Sequence, residues 1–314
     1  MRTRAPTRVD LGGGWTDVPP YAEEQGGFVC NVAIDRYATV TVTPLARPED
    51  PAEIAVASAA DRALVAAVAR RTGALGVRIE LHNDFPVGAG LGGSSAASVA
   101  LIAALQRGAP LSGGALAEFS RQIETEDLGV AGGRQDHYAS VYGGALGLGF
   151  SARGVAVDSI PLTDAARAEF ESRGMIVYTG ESRISGDTIV AVLDAYRARS
   201  RGVCDALAAM GRLAREMRTA LAAGDIDALS ALVDEQWHHQ RMLHPAIPTP
   251  RIDEIISRAQ AAGATGGKAL GASGGGCVLL LAPADRAQPV RDAVAPLGAL
   301  LPFHVDLEGV RVCG

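Results

Sequence analysis

The sequence predicts an α+β fold built as two lobes, on three observations. Strand and helix patterns follow one another without a regular βαβ rhythm, which argues against a doubly wound sheet. The chain has 314 residues, more than one unit of ~150, so it holds one large domain or two closely associated lobes. Its composition, 48% apolar and 20% charged, is ordinary for a globular protein and can supply a sizeable core. An N-terminal lobe is expected over residues 1–160 and a C-terminal lobe over 161–314, because the pattern changes character near 151–170.

From the start of the chain, residues 4–11 alternate weakly in hydropathy and read as a strand, ended by the turn Gly12-Gly13-Gly14-Trp15-Thr16-Asp17. β-Branched and aromatic content predicts strands at 28–33 and 37–42. Residues 62–71 read as a helix and 77–82 as a strand, broken by Asn83-Asp84-Phe85-Pro86. A glycine loop at 88–93 leads into an Ala- and Leu-rich helix at 94–106. A helix at 116–127 is closed by Gly129, Gly132 and Gly133. A strand at 175–179 precedes helices at 187–199, 203–223, 226–242 and 252–262. A second glycine loop, 271–276, leads to a strand at 277–282, a short helix at 288–295 and a last strand at 303–307.

Several function classes are excluded. The net charge is −6, and no basic arm or RNP-type aromatic string offers a nucleic-acid surface. The longest apolar runs, such as residues 96–105, are too short to span a bilayer. No secretory signal pattern opens the chain. The four cysteines (Cys30, Cys204, Cys277, Cys313) are far apart and unpatterned, so reduced thiols in a cytoplasmic setting are expected. The expected partner is a small molecule; a homodimer stays open. One value is unusual: 38 glycines, which fall in clusters and not as a G-X-Y repeat.

The first glycine loop is Pro86-Val-Gly-Ala-Gly-Leu-Gly-Gly-Ser-Ser-Ala96. Glycines let backbone amides approach an anion, and the following helix offers unpaired N–H groups and a positive dipole end. That is a phosphate cradle. Ser94 and Ser95 at the helix start can ligate Mg²⁺ or cap the helix. Gly88, Gly90 and Gly93 satisfy G-x-G-x-x-G, but a proline precedes the loop and no acidic residue closes a strand ~20 residues on, so a dinucleotide-binding oxidoreductase is a poor reading. A Walker loop would need Gly-Lys-Ser/Thr, and the protein-kinase signatures are absent. On the helix 116–127, Leu116, Phe119, Ile123 and Glu126 fall at spacings of three and four. That puts Glu126 on the apolar stripe, where a carboxylate needs a partner such as Mg²⁺.

Pro-x-Gly-x-Gly-Leu-x-x-Ser-Ser-Ala resembles the ATP loop of the GHMP kinases, the galactokinase, homoserine kinase, mevalonate kinase and phosphomevalonate kinase superfamily. Arg4-Ala-Pro-Thr-Arg8 with residues 12–17 resembles that family's N-terminal motif, and residues 271–276 its C-terminal glycine motif. The three occur in order and cover essentially the whole chain. The resemblance implies a two-lobed GHMP kinase-like α+β fold and an ATP- and Mg²⁺-dependent kinase. It implies ATP contacts at Pro86, Gly88, Gly90, Leu91, Gly92, Gly93, Ser94 and Ser95. It implies a glutamate paired with the loop serine, hence Glu126 with Ser94 as metal ligands, and an aspartate, Asp136, that accepts or orients the substrate proton. Arg8 aligns with the basic residue of the first motif, and its guanidinium can hold Asp136 ionised.

Asp17, after a glycine turn, can accept two hydroxyl hydrogen bonds and suits a sugar. Thr16, Gly133, Arg134, Gly274 and Gly275 are its expected companions in substrate binding. Ser273 is a further candidate ligand. Lys268 is expected to be solvated and Cys277 to be core. His238, His239 and His244 fit no zinc spacing. Within the family, the segment from Gly12 to Asn31 resembles two groups that phosphorylate the anomeric hydroxyl, the D-glycero-D-manno-heptose 7-phosphate kinases and the L-fucose kinases. A heptose phosphate would need a second anion site, for which Arg134, Arg183 and Arg241 are candidates, with Ser182 and Ser185 as hydroxyl donors. A non-catalytic sugar or ATP sensor is the alternative class.

Overall fold

The computed structural model describes residues 1–106, 111, 113–181 and 186–313. Two sheets organise the described residues. The first is seven-stranded and centred on one long strand, Gly27–Pro44, antiparallel to Arg2–Gly12 along its length. Its first half pairs with Ala145–Ser151 and its second half with Val77–Asn83. The sequence suggested two strands here. The backbone runs through because Ile34 bridges Val305 and the Asp35 amide donates to the His304 carbonyl, so residues 34–36 keep strand partners. The hairpin Ala145–Ser151/Gly154–Ile160 completes one flank. The other sheet is four-stranded and antiparallel, in the order Ala299–Leu301, Gly174–Tyr178, Cys277–Leu281, Gly266–Ala269.

The helix Gly93–Leu105 lies against the first sheet with nearly every side chain buried, consistent with its apolar composition all round. Ala59–Thr72, capped by Ser58 and ended by Gly73 in the left-handed conformation, packs beside it. In the second half, Arg201–Ala223 and Ile226–Gln240 pair as an antiparallel hairpin, and Pro250–Ala262 and Ala287–Val294 cover the second sheet. A central core of Val9, Leu11, Val32, Leu213, Leu279 and Phe303 joins the two sheets.

Two expectations change. Residues 303–307 form no strand beyond the Ile34–Val305 bridge, because the Asp306 carboxylate turns the chain by accepting the Glu308 and Gly309 amides. The true terminal strands are Ala299–Leu301 and Arg311–Cys313, and the latter pairs with Arg2–Gly12. The end of the chain therefore sits in the first sheet. The predicted helix at 116–127 is a helix Gly113–Gln122 continued by a π-helical turn, Ile123–Asp127.

Candidate active site

A cavity of about 610 Å³ opens between the sheets. The loop after Val77–Asn83 forms one wall: Pro86, Gly88, Gly90, Leu91, Gly92 and Gly93 all line it, as do Ser94 and Ser95 at the start of the central helix. Ala60, Ala63, Leu64, Phe85 and Val87 make an apolar end. Arg8, Asp10, Asp17 and Asp136 gather at the polar end.

Arg8 anchors this end. Its Nε and Nη2 both donate to Asp136 Oδ1, at 2.7 and 2.6 Å, and its Nη1 donates to the Gly90 carbonyl at 2.6 Å. Its own amide donates to the Leu91 carbonyl. One buried arginine on an inner strand thus fixes both the glycine loop and the carboxylate. Asp136 stands in the first turn of the helix Gln135–Tyr142. Asp17, almost fully buried, accepts from the Gln135 amide at 3.0 Å. Burial pushes its carboxyl up to about 6, helped by the negative charges of Asp136 and Asp10 and opposed by that amide. A Cβ at position 133 would run into the Asp17 carboxylate, so the approach of the chain there requires Gly133.

The carboxylate at the loop serine is Glu124, not Glu126. Ser94 Oγ donates to Glu124 Oε1 at 2.6 Å, and Ser95 Oγ lies 3.4 Å from both its oxygens. Glu126 points outward to Arg71, with Asp127 beside it on the same guanidinium. The reason is phase: the buried stripe runs through Ala117, Ser120, Ile123 and Glu124, and the π-helical turn rotates residue 126 to solvent. The small residues Ala117 and Ser120, seven and four positions before Glu124, are the signal that could have found it. Burial pushes Glu124 up, but His137, Ser94 and Ser95 together outweigh burial and hold its carboxyl below the ordinary range.

Other expected contacts fall away. The Thr16 hydroxyl donates to the Gly13 carbonyl and accepts the Phe28 amide, so it closes the turn and does not line the cavity. Arg134 reaches Glu23 at 3.8 Å and Gly274 bonds the Ile247 carbonyl; neither lines the cavity, whereas Gly133 and Gly275 do. Arg241 packs over Trp237 and pairs with Asp253. Ser182, Arg183 and Ser185 lie outside the described residues. Ser273 lines the cavity and accepts from Gln240 at 3.0 Å. Lys268, expected in solvent, is fully buried and donates to Asp10 Oδ2 at 2.9 Å and to the Asp10 carbonyl at 2.7 Å. Cys277 is buried, as expected.

A hydroxyl and a buried carboxylate 2.6 Å apart at a helix N-terminus form a hard-oxygen donor pair, which suits Mg²⁺. Among the described residues no group of three or more His, Cys, Asp or Glu could hold a metal unaided. Such a pair therefore fits a cation that arrives with, and is completed by, nucleotide phosphates. No described helix is long and apolar enough to cross a membrane.

Comparison with known proteins gives three kinds of match. The GHMP kinases N terminal domain model matches residues 56–144 and the GHMP kinases C terminal model residues 217–298. The D-glycero-alpha-D-manno-heptose 7-phosphate kinase of Campylobacter jejuni is 25% identical over 99% of this chain and 98% of its own. The bifunctional fucokinase/GDP-fucose pyrophosphorylase of Arabidopsis thaliana is 25% identical over 92% of this chain and 30% of its own. The crystal structure of a D-glycero-D-manno-heptose 1-phosphate kinase from Bacteriodes thetaiotaomicron superposes with a TM-score of 0.78 over 100% of this chain and 99% of its own, at 24% identity.

Proposed function

The chain belongs to the GHMP kinases and is an ATP-dependent kinase, and from that premise we propose that it phosphorylates the anomeric C1 hydroxyl of a sugar, with D-glycero-D-manno-heptose 7-phosphate as the acceptor. The observation that carries the reading is that a glycine phosphate cradle, the Ser94–Glu124 pair and the Arg8–Asp136 pair face one cavity together. The similarity to a heptose 7-phosphate kinase along nearly the whole of both chains supports the sugar.

In this reading the apolar end takes the base, and the amides of residues 88–93 with the helix start take the phosphates. Ser94 and Glu124 would hold Mg²⁺, which would supply positive charge to offset that of the phosphates. Asp17 and Gly133 orient the sugar hydroxyls. Asp136 accepts a hydrogen bond from the attacking hydroxyl and takes its proton as the sugar oxygen bonds to the γ-phosphorus and the bond from that phosphorus to the bridging oxygen breaks, ADP leaving with the electron pair. Arg8 fixes Asp136 to the loop that holds the nucleotide.

A second reading, L-fucose or another unphosphorylated sugar, is favoured by one observation: among the described residues Arg8 is the only arginine lining the cavity, and it is engaged with Asp136. ADP release measured across heptoses, heptose 7-phosphate, hexoses and L-fucose decides between them. Turnover that requires the 7-phosphate supports the heptose, and preference for free L-fucose supports the second. No turnover on any sugar overturns both.

A further inference from the structure

Glu124 is held from behind. While Oε1 receives the Ser94 hydroxyl, Oε2 faces His137 Nε2 at 3.3 Å. The other ring nitrogen, Nδ1, lies 2.9 Å from Ser120 Oγ. His137 is 1% exposed and Ser120 is fully buried, so water cannot substitute for either contact. An ionised carboxylate can only accept, and this sets the direction of the contact in both protonation states of the ring. In neutral imidazole the Ser120 hydroxyl donates to Nδ1 and leaves the proton on Nε2; in imidazolium both nitrogens carry one. Either way Nε2 carries a proton beside Glu124 Oε2, with Ser95 Oγ 3.5 Å from the same nitrogen. His137 also follows Asp136 directly in the first turn of Gln135–Tyr142, so one turn of helix reaches the Arg8 pair with one side chain and the Ser94 pair with the next.

We propose that His137, oriented by Ser120, is a positioning residue that ties down Glu124 Oε2 and presents Oε1 alone to the cation of the metal–nucleotide complex. The proposal rests on the reading of Ser94 and Glu124 as cation ligands. A glutamate has three side-chain torsions, and with only the long 3.4 Å contact of Ser95 left on its second oxygen Glu124 would be free to turn. Hydrogen-bond partners behind a metal ligand typically change metal affinity or activity by about 10–100-fold when removed.

The test is Mn²⁺ binding, followed by electron paramagnetic resonance, to the full chain with a non-hydrolysable ATP analogue. His137→Leu should raise the Mn²⁺ Kd by about 10–100-fold without changing metal-free analogue affinity, and saturating metal should recover kcat. His137→Gln, whose amide offers an N–H at nearly the same reach, should recover most of the affinity. Ser120→Ala should lose affinity in the same direction by a smaller factor. An unchanged Mn²⁺ Kd in folded His137→Leu overturns the proposal, as does a Gln variant as weak as Leu. If His137→Leu does not fold, Ser120→Ala decides: a lowered Tm with unchanged Kd means a structural role only. Failure of the wild-type complex to bind Mn²⁺ overturns the cation reading itself, which an unchanged variant does not.

Discussion

Glu124 and Glu126 stand two residues apart and have opposite surroundings: one is buried on Ser94, the other is exposed on Arg71. Glu124→Gln should therefore lower kcat by at least about a hundredfold if it holds the cation, while Glu126→Gln should stay within about twofold, because an exposed ion pair contributes little. Steady-state kinetics at fixed Mg²⁺ checks both. Asp17 carries a pH prediction. Its folded carboxyl titrates at about 6 against an ordinary value of 3.8, and only the ionised form accepts two hydroxyl bonds. The kcat/KM for the sugar should rise as pH passes upward through about 6. The stability effect has the opposite sign: a raised folded value favours the native state below 3.8 and loses that contribution as pH rises through about 6. Asp17→Asn should therefore stabilise the protein at pH 8 by up to about 3 kcal/mol and leave it nearly unchanged at pH 4, as read by urea unfolding. That the loop from Pro86 to Ser95 lines the cavity, and that Arg8 pairs with Asp136, were legible because glycine clusters and a basic residue in an ordered motif leave a direct mark. Thr16, Arg134 and Glu126 were not, because a residue type says what a side chain can bind and not which neighbour claims it first.

At the scale of elements, long periodic segments were the legible ones. The helices around 94–106, 203–223 and 252–262 appear within a few residues of expectation because an apolar face and caps such as Thr249 and Gly263 fix their ends. The hairpin Ala145–Ser151/Gly154–Ile160 and the short strand Gly266–Ala269 escaped notice: their glycine content hides the alternation, and their partners are set by tertiary pairing. The π-helical turn leaves no mark in the sequence, since its residues continue the 3.6-residue period of the helix before it. The glycine loop offers an element-level test. Gly92 precedes the central helix with φ +75°, and a Cβ there would lie 3.0 Å from Asp136 Cγ. Gly92→Ala should add about 1 kcal/mol of backbone strain and push Asp136 out of line. The expected result is a kcat loss of at least about tenfold that exceeds any change in KM for ATP, measured with ATP and sugar varied separately.

Over the whole molecule, the α+β class and the presence of two halves were visible in the sequence, but the way they join was not. The halves share the core of Val9, Leu11, Leu213 and Leu279, and the last strand returns to the first sheet. They also share a buried charge pair: Asp10 belongs to an inner strand of the first sheet, Lys268 to the edge strand Gly266–Ala269 of the second, and both are almost wholly shielded from solvent. Burial pulls the Lys268 ammonium down, while Asp10 raises it again. Among the described residues Asp10 Oδ1 has no hydrogen-bond partner, so Lys268 is the main compensation for that carboxylate. Removing the lysine should leave a buried charge uncompensated and is expected to destabilise the fold by about 3–5 kcal/mol. Replacing both charges by neutral groups of similar shape removes that penalty. In urea unfolding, Lys268→Met should therefore be less stable than the double variant Asp10→Asn/Lys268→Met, although the second carries one more substitution. Strict additivity of the two single effects would mean that the pair does not couple the two sheets energetically. The predicted order, double above single, would show that an ion pair two residues along the strand from Arg8 helps hold the cavity walls together.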